Sequence, residues 1–255
     1  MGLLPTALVT GAAKRIGRAI AIELSRAGWR VAVHHHSSGE DAEQTVSDIK
    51  AAGGEAIALQ ADLSNLDAVG ELIPDCCENF GCPTCLINNA SLFEHDRIET
   101  LTADGWHRHL DINLRAPVFL ARAFAANLPG GEKGAVINLL DQRVWKLTPD
   151  FFSYTVSKSG LWTATRMLAQ ALAPDVRVNA IGPGPALANE RQSAEDLKRQ
   201  QRSTILQRGP ELDEICAAVR FILDAPSMTG QMIALDGGQH LAWRTPDIVD
   251  TNPKQ

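Results

Sequence analysis

Short, mostly apolar runs recur along the chain, each followed by a longer stretch with apolar positions every three or four residues. The runs are Ala7–Thr10, Arg30–His34, Ala56–Leu59, Cys85–Asn88, Ala135–Leu139, Val176–Ala180 and Gln231–Leu235. Their length and continuous hydrophobicity predict strands buried on both faces. Between them the helical period returns. Ile16, Ile20, Leu24 and Ala27 mark the first helix, which Gly28 ends. Further helices are predicted over Ser38–Ala52, Asn65–Asn79, Asp104–Leu128, the segment from Tyr154 to Ala173, and Leu212–Leu223. Regular strand–helix alternation predicts an α/β fold: a doubly wound parallel sheet of seven strands, covered on both faces. Its ligand cleft belongs at the carboxyl ends of the strands. Residues 1–243 read as a single domain and 244–255 as a polar tail.

Composition narrows the partners. The net charge of −6 over 255 residues supplies no basic face for nucleic acid. No apolar run reaches the ~18–20 residues that span a bilayer. The first residues run straight into a strand and a glycine turn, unlike a signal peptide. A soluble cytoplasmic protein is expected. Of the five cysteines, Cys82 and Cys85 have the spacing of a metal or redox pair. With no second such pair, all five are expected to be buried free thiols in a reducing compartment.

Chemistry gathers at the strand ends. Gly11 and Gly17 flank the first strand-to-helix turn, where a helix N-terminus offers N–H groups to a pyrophosphate. Arg15 stands where a middle glycine might be expected, with Lys14 beside it, and both add cationic contacts to phosphate. The second strand ends in His34-His35-His36-Ser37-Ser38 with no carboxylate before Glu40. An acid there would favour the free ribose of NAD, whereas imidazoles and hydroxyls near two cations favour the 2′-phosphate of NADPH. Consecutive strand residues alternate faces, so the three histidines cannot all ligate one metal. Asp62 is placed to accept from an adenine amino group. The single tyrosine, Tyr154, precedes Lys158 by one helical turn. A cation held there would lower the phenol pKa into the range of proton transfer.

Taken in order, Thr10-Gly11, Arg15, Gly17, Asp62, Asn88-Asn89-Ala90, Asn113, Tyr154-x3-Lys158, Pro183-Gly184 and Asp236-Gly237-Gly238 resemble the short-chain dehydrogenase/reductase family, from about Leu4 to Leu241. The resemblance implies a Rossmann-like fold and an NADPH-dependent enzyme. It implies Tyr154 as proton donor, Lys158 as its partner and nicotinamide-ribose ligand, and Asn113 as holder of a relay water. It also implies cofactor contacts from Ile16, Leu63, Asn89, Ala90, Ser91, Pro183 and Gly184.

One departure is informative. Thirteen positions before the tyrosine, where the family usually has serine, stands Asp141. A carboxylate repels a carbonyl oxygen or alkoxide and accepts from N–H groups of a nitrogen heterocycle. Asp141, Arg15, the His34/His36 pair and Asn88-Asn89-Ala90-Ser91 together resemble the pteridine reductase branch, including dihydromonapterin reductases. That likeness implies a dihydropterin or dihydrofolate stacked between nicotinamide and Phe93, with Arg15, Ser91, Asp141 and Tyr154 at its polar edge. It implies that NADPH binds first and that a flap from Pro183 to Arg208 covers the substrate. A reductase of another small carbonyl and a non-catalytic NADPH-binding protein are the alternatives. The family likeness further implies a homotetramer, and Trp243 and Arg244 could reach a neighbouring active site.

Overall fold

The structure is a computed structural model that describes residues 4–187 and 193–243. Seven strands form one parallel sheet in the order β3-β2-β1-β4-β5-β6-β7. They are β1 (Thr6–Val9), β2 (Arg30–His35), β3 (Ala56–Gln60), β4 (Cys85–Asn88), β5 (Gly134–Leu139), β6 (Val176–Pro183) and β7 (Met232–Leu235). The helices between them are α1 (Arg15–Arg26), α2 (Gly39–Ala51), α3 (Leu66–Asn79), α4 (Ala103–Leu110), α5 (Ala116–Ala126), α6 (Phe152–Ala171), α7 (Ala194–Arg202) and α8 (Leu212–Leu223). The predicted α/β class and strand count hold.

The continuous apolar runs have a simple cause. Successive strand residues point to opposite faces, and both faces are covered. Val9, Ile87 and Ile137 enter a core with Ile20, Leu24 and Ile222 of α1 and α8. Their neighbours Leu8, Leu86 and Val136 enter a second core with Leu72, Leu120 and Phe124 of α3 and α5. Each such side chain contributes about 1.5–3 kcal/mol by leaving water. β1 pairs with β2 on one side and β4 on the other, so the chain reverses direction across the sheet there. A crevice opens at the carboxyl ends of β1 and β4.

Two expectations are corrected. The helix predicted over Asp104–Leu128 is broken: α4 and α5 flank a π-helical turn, Asp111–Arg115. Pro117 lacks the N–H that an uninterrupted α-helix would give to the Asn113 carbonyl. The apolar pattern runs through the break and hides it. The cysteines are not all free thiols: Cys77 and Cys82 form a disulfide, while Cys76, Cys85 and Cys216 are free and buried. Gly81, at φ +117, turns the chain back after α3 and brings the two sulfurs together. Cys82 and Cys85 therefore do not act as a pair, and the cysteines no longer argue for a reducing compartment. Among the described residues no helix is long and apolar enough to cross a membrane.

Candidate active site

Two adjoining hollows occupy the crevice. The first is a trough of about 420 Å3 along the β1–α1 turn. Gly11 has φ +60, and a Cβ on it would come 3.0 Å from the Cα of Ala90. A Cβ on Gly17 would stand 2.3 Å from the Gly11 carbonyl oxygen. Only glycine leaves this turn open to a ligand. Arg15 itself lies at φ +57, in the left-handed region that glycine favours. The position thus has a glycine-like backbone, which arginine adopts at a conformational cost. Among the described residues no side chain caps the N-terminus of α1, and the positive end of its dipole favours an anion.

Lys14, Arg15, Ile16 and His36 line the trough, as do Asp62 and Leu63 from the end of β3 and Asn89, Ala90 and Ser91 after β4. Ser37 is exposed beyond this lining. Lys14 pairs with Asp41 at 2.8 Å. Asp62 accepts from the Ser64 amide and hydroxyl, each at 2.8 Å, with its other oxygen 3.9 Å from His36. One carboxylate oxygen is thus committed within its own turn.

The second hollow is a cavity of about 470 Å3. Arg15, Ile16, Asn89 and Ser91 form its boundary with the trough. Phe93, Asp141, Tyr154 and Lys158 line it, with Pro183, Gly184 and Leu187 opposite. The predicted residues therefore converge, except Ser37, which is exposed beyond the trough, and Asn113, which is wholly buried behind the wall. Its side-chain oxygen accepts from the Leu92 amide at 2.7 Å and the Ser91 hydroxyl at 3.2 Å. Its nitrogen donates to the Leu92 carbonyl at 2.9 Å and Ser157 Oγ at 3.0 Å. That amide is filled by protein and ties the segment after β4 to α6.

The Tyr154 hydroxyl donates to Asp141 Oδ2 at 3.0 Å, while Asp141 Oδ1 accepts from the Arg143 amide at 2.8 Å. Burial pushes the Asp141 carboxyl up, against the Arg143 amide bond and charge. Burial also drives the Tyr154 phenol well above its ordinary range, and the Asp141 charge adds to this. The expectation that Lys158 lowers the phenol pKa is corrected here. Lys158 Nζ donates to the Leu139 carbonyl at 2.7 Å, and burial brings it down to about 8. Burial, with the Asp141 charge adding to it, keeps the resting phenol protonated.

Four residues escaped the sequence reasoning in whole or part. His34 is buried; its Nδ1 accepts from the Gly11 amide at 3.1 Å and its Nε2 lies 3.1 Å from the Ala61 carbonyl. These partners require the neutral ring with the proton on Nε2, so His34 braces the glycine turn instead of facing a phosphate. Phe151, at φ +58, stacks on Phe93 with centroids 4.4 Å apart. Arg143 lays its guanidinium over Phe151 at 4.8 Å. Asp96 accepts from the Ser153 amide and hydroxyl at the first turn of α6. Of these only His34 was signalled in the sequence, by its place at the end of β2 and in the His34/His36 pair.

The tail after Trp243 and the centre of the predicted flap lie outside the described residues. The described residues on either side border the cavity: Gln201 Nε2 donates to the Pro185 carbonyl at 3.0 Å, and Arg15 reaches the Leu187 carbonyl at 3.4 Å.

A strand-end crevice with a glycine turn, and a tyrosine and lysine one helical turn apart, define a class of dinucleotide-dependent oxidoreductases. The family model for enoyl-(acyl carrier protein) reductase matches residues 11–240, and the chain belongs to the short-chain dehydrogenase/reductase family. It is 32% identical over 241 residues to the 3-oxoacyl-(acyl-carrier-protein) reductase of Staphylococcus epidermidis, covering 92% of this chain and 99% of that one. An uncharacterized oxidoreductase of Methylorubrum extorquens is 34% identical over 240 residues, covering 91% and 96%. Among solved structures, FolM alternative dihydrofolate reductase 1 from Brucella canis, complexed with NADP, is 50% identical with a TM-score of 0.93. It is matched over 96% of this chain and 97% of that one. The Brucella suis protein, also with NADP, has the same identity and TM-score, with 96% and 98% covered.

Proposed function

We propose that the protein is an NADPH-dependent pteridine reductase that takes a dihydropterin or dihydrofolate to its tetrahydro form. The observation that carries this reading is Asp141, a part-buried carboxylate in the cavity wall hydrogen-bonded to the Tyr154 hydroxyl. A substrate carbonyl oxygen beside that carboxylate would meet lone pairs and negative charge, whereas a ring N–H meets an acceptor. The likeness to the two Brucella proteins supports the same reading.

The trough fits the cofactor. Its glycine cradle leaves room for a pyrophosphate where any Cβ would intrude. Lys14, Arg15 and His36 offer cationic or hydrogen-bonding groups for a 2′-phosphate. When bound, NADPH supplies the hydride. The chain's own groups orient the substrate and handle the proton. Asp141 accepts from the pteridine edge, Arg15 and Ser91 meet its polar groups, and Phe93 stacks on its ring. Tyr154 hands its proton to the ring nitrogen directly or through Asp141. The phenolate left behind would face the Asp141 charge, so the proton has to be replaced quickly. Lys158, buried beside the phenol, offsets part of that charge. The active unit in this proposal is a homotetramer, to be tested by light scattering on the purified protein.

The named acyl-carrier relatives favour a second reading, a 3-oxoacyl reductase. NADPH oxidation with dihydrobiopterin, dihydromonapterin, dihydrofolate and an acetoacetyl thioester separates the two. Turnover of the pteridines is expected, with little of the thioester. Turnover of the thioester alone would overturn the pteridine reading.

A further inference from the structure

Arg143 acts on the proton-relay site through its charge, but its guanidinium forms no hydrogen bond there. Its side chain is only 18% exposed, yet the Asp141 oxygen lies 3.9 Å from its Nε, beyond hydrogen-bond reach. Asp141 is already engaged by the Tyr154 hydroxyl and by the Arg143 amide, not its guanidinium. Among the described residues no hydrogen bond ties that guanidinium to any acceptor. It rests on aromatic faces instead, 4.8 Å from the Phe151 centroid and 5.8 Å from that of Phe93. Five N–H donors in a fixed fork are thus held at the cavity wall with their in-plane edges unclaimed.

The support beneath it is specific. Phe151 is held at φ +58, a backbone region that costs a bulky residue about 1–2 kcal/mol. In that conformation its ring stacks on Phe93, with an interplanar angle of 5°, and carries the cation. The cavity is therefore bipolar: an acceptor carboxylate inside and a fork of donors on an aromatic shelf. Its volume of about 470 Å3 matches drug-sized ligands rather than a bare bicyclic ring.

We propose that Arg143 is a specificity-determining residue that binds the carboxylate of a pteridine side chain, with the Phe93–Phe151 shelf lying along the aromatic link that carries it. This inference rests on the pteridine reading and narrows it to carboxylate-bearing substrates. A planar fork pairs with a carboxylate through two parallel hydrogen bonds, and the partial burial strengthens them.

The test compares dihydrofolate with its dimethyl ester, which keeps the shape and removes both charges, and uses dihydrobiopterin as a neutral control. In the wild type, kcat/KM is expected to favour the acid over the ester by about tenfold or more. Arg143→Gln and Arg143→Met are expected to bring that ratio to within about threefold, and Arg143→Lys to retain part of it. A wild-type ratio near one overturns the proposal. So does a ratio that survives in Arg143→Gln, which would assign the selectivity to another cation such as Arg15. Should the variants fold poorly, salt supplies the second measurement in the wild type. Raising ionic strength must raise KM for the acid and leave the ester's nearly constant, and equal responses overturn the proposal. Failure to reduce any of the three compounds would remove the pteridine reading itself. Equal reduction of all three would remove only the role of Arg143.

Discussion

At the scale of single residues, the site depends on where protons are held. Burial brings the His34 imidazole from its ordinary 6.5 down to about 4. The fold keeps this ring neutral over a range in which the unfolded chain protonates it. The resulting stability is fully present above pH 6.5 and is lost as pH falls toward 4, by up to about 1.4 kcal/mol per pH unit. Urea unfolding across that range is expected to show a steeper fall for the wild type than for His34→Asn. Equal slopes would mean that the ring is not what resists protonation. For Asp141, replacement by asparagine keeps the shape and removes the charge. Its pteridine kcat/KM is expected to fall about a hundredfold or more, because proton transfer loses its partner. If Asp141→Asn retains pteridine turnover, the carboxylate does not anchor the substrate. The sequence showed Asp141 as an anomaly against the family pattern, so its importance was legible. His34 was only half legible. Alternation puts His34 and His36 on one face, but not that the Gly11 amide waits for the first of them.

At the scale of elements, α6 begins without a cap of its own. Its N-cap is Phe151, which has no side-chain acceptor. Asp96 supplies the missing group from 57 residues away, with its carboxylate at the positive end of the helix that carries Tyr154 and Lys158. Asp96→Ala is expected to cost about 1–2 kcal/mol in chemical unfolding. It should also lower kcat more than it raises KM, since the tyrosine is held less firmly. An unchanged unfolding midpoint would exclude the capping role. In the β1–α1 turn, Gly17→Ala would drive a methyl to 2.3 Å from the Gly11 carbonyl oxygen. Loss of NADPH binding in calorimetry is expected, and normal affinity would show that the turn can yield. Strands and helices were readable because burial on both sheet faces leaves continuous apolar runs. The π turn at Asp111–Arg115 was not, because its apolar positions keep the helical period. The Asp96 cap was not readable either, because it joins a segment without periodicity to a distant helix.

At the scale of the whole molecule, seven strands follow from their apolar runs, but their order does not. Nothing local tells β4 to pair with β1 rather than with β3. That pairing creates the crevice, so the site's location was expected from the parallel α/β class while its walls were not. The Cys77–Cys82 bond was likewise hidden, since it depends on how tightly the chain turns at Gly81. Saturating NADPH is expected to stabilise the protein by about 2.7 kcal/mol at a hundred times its dissociation constant. A smaller thermal shift with NADH at the same concentration would accord with the 2′-phosphate preference, and equal shifts would contradict it. The shared boundary of trough and cavity, formed by Arg15, Ile16, Asn89 and Ser91, has one more consequence. Occupants of the two hollows cannot be thermodynamically independent, and their coupling acts equally in both directions. An inhibitor that packs favourably against the bound dinucleotide would hold it more tightly and be held by it to the same degree. For such an inhibitor, potency is expected to grow as cofactor is added.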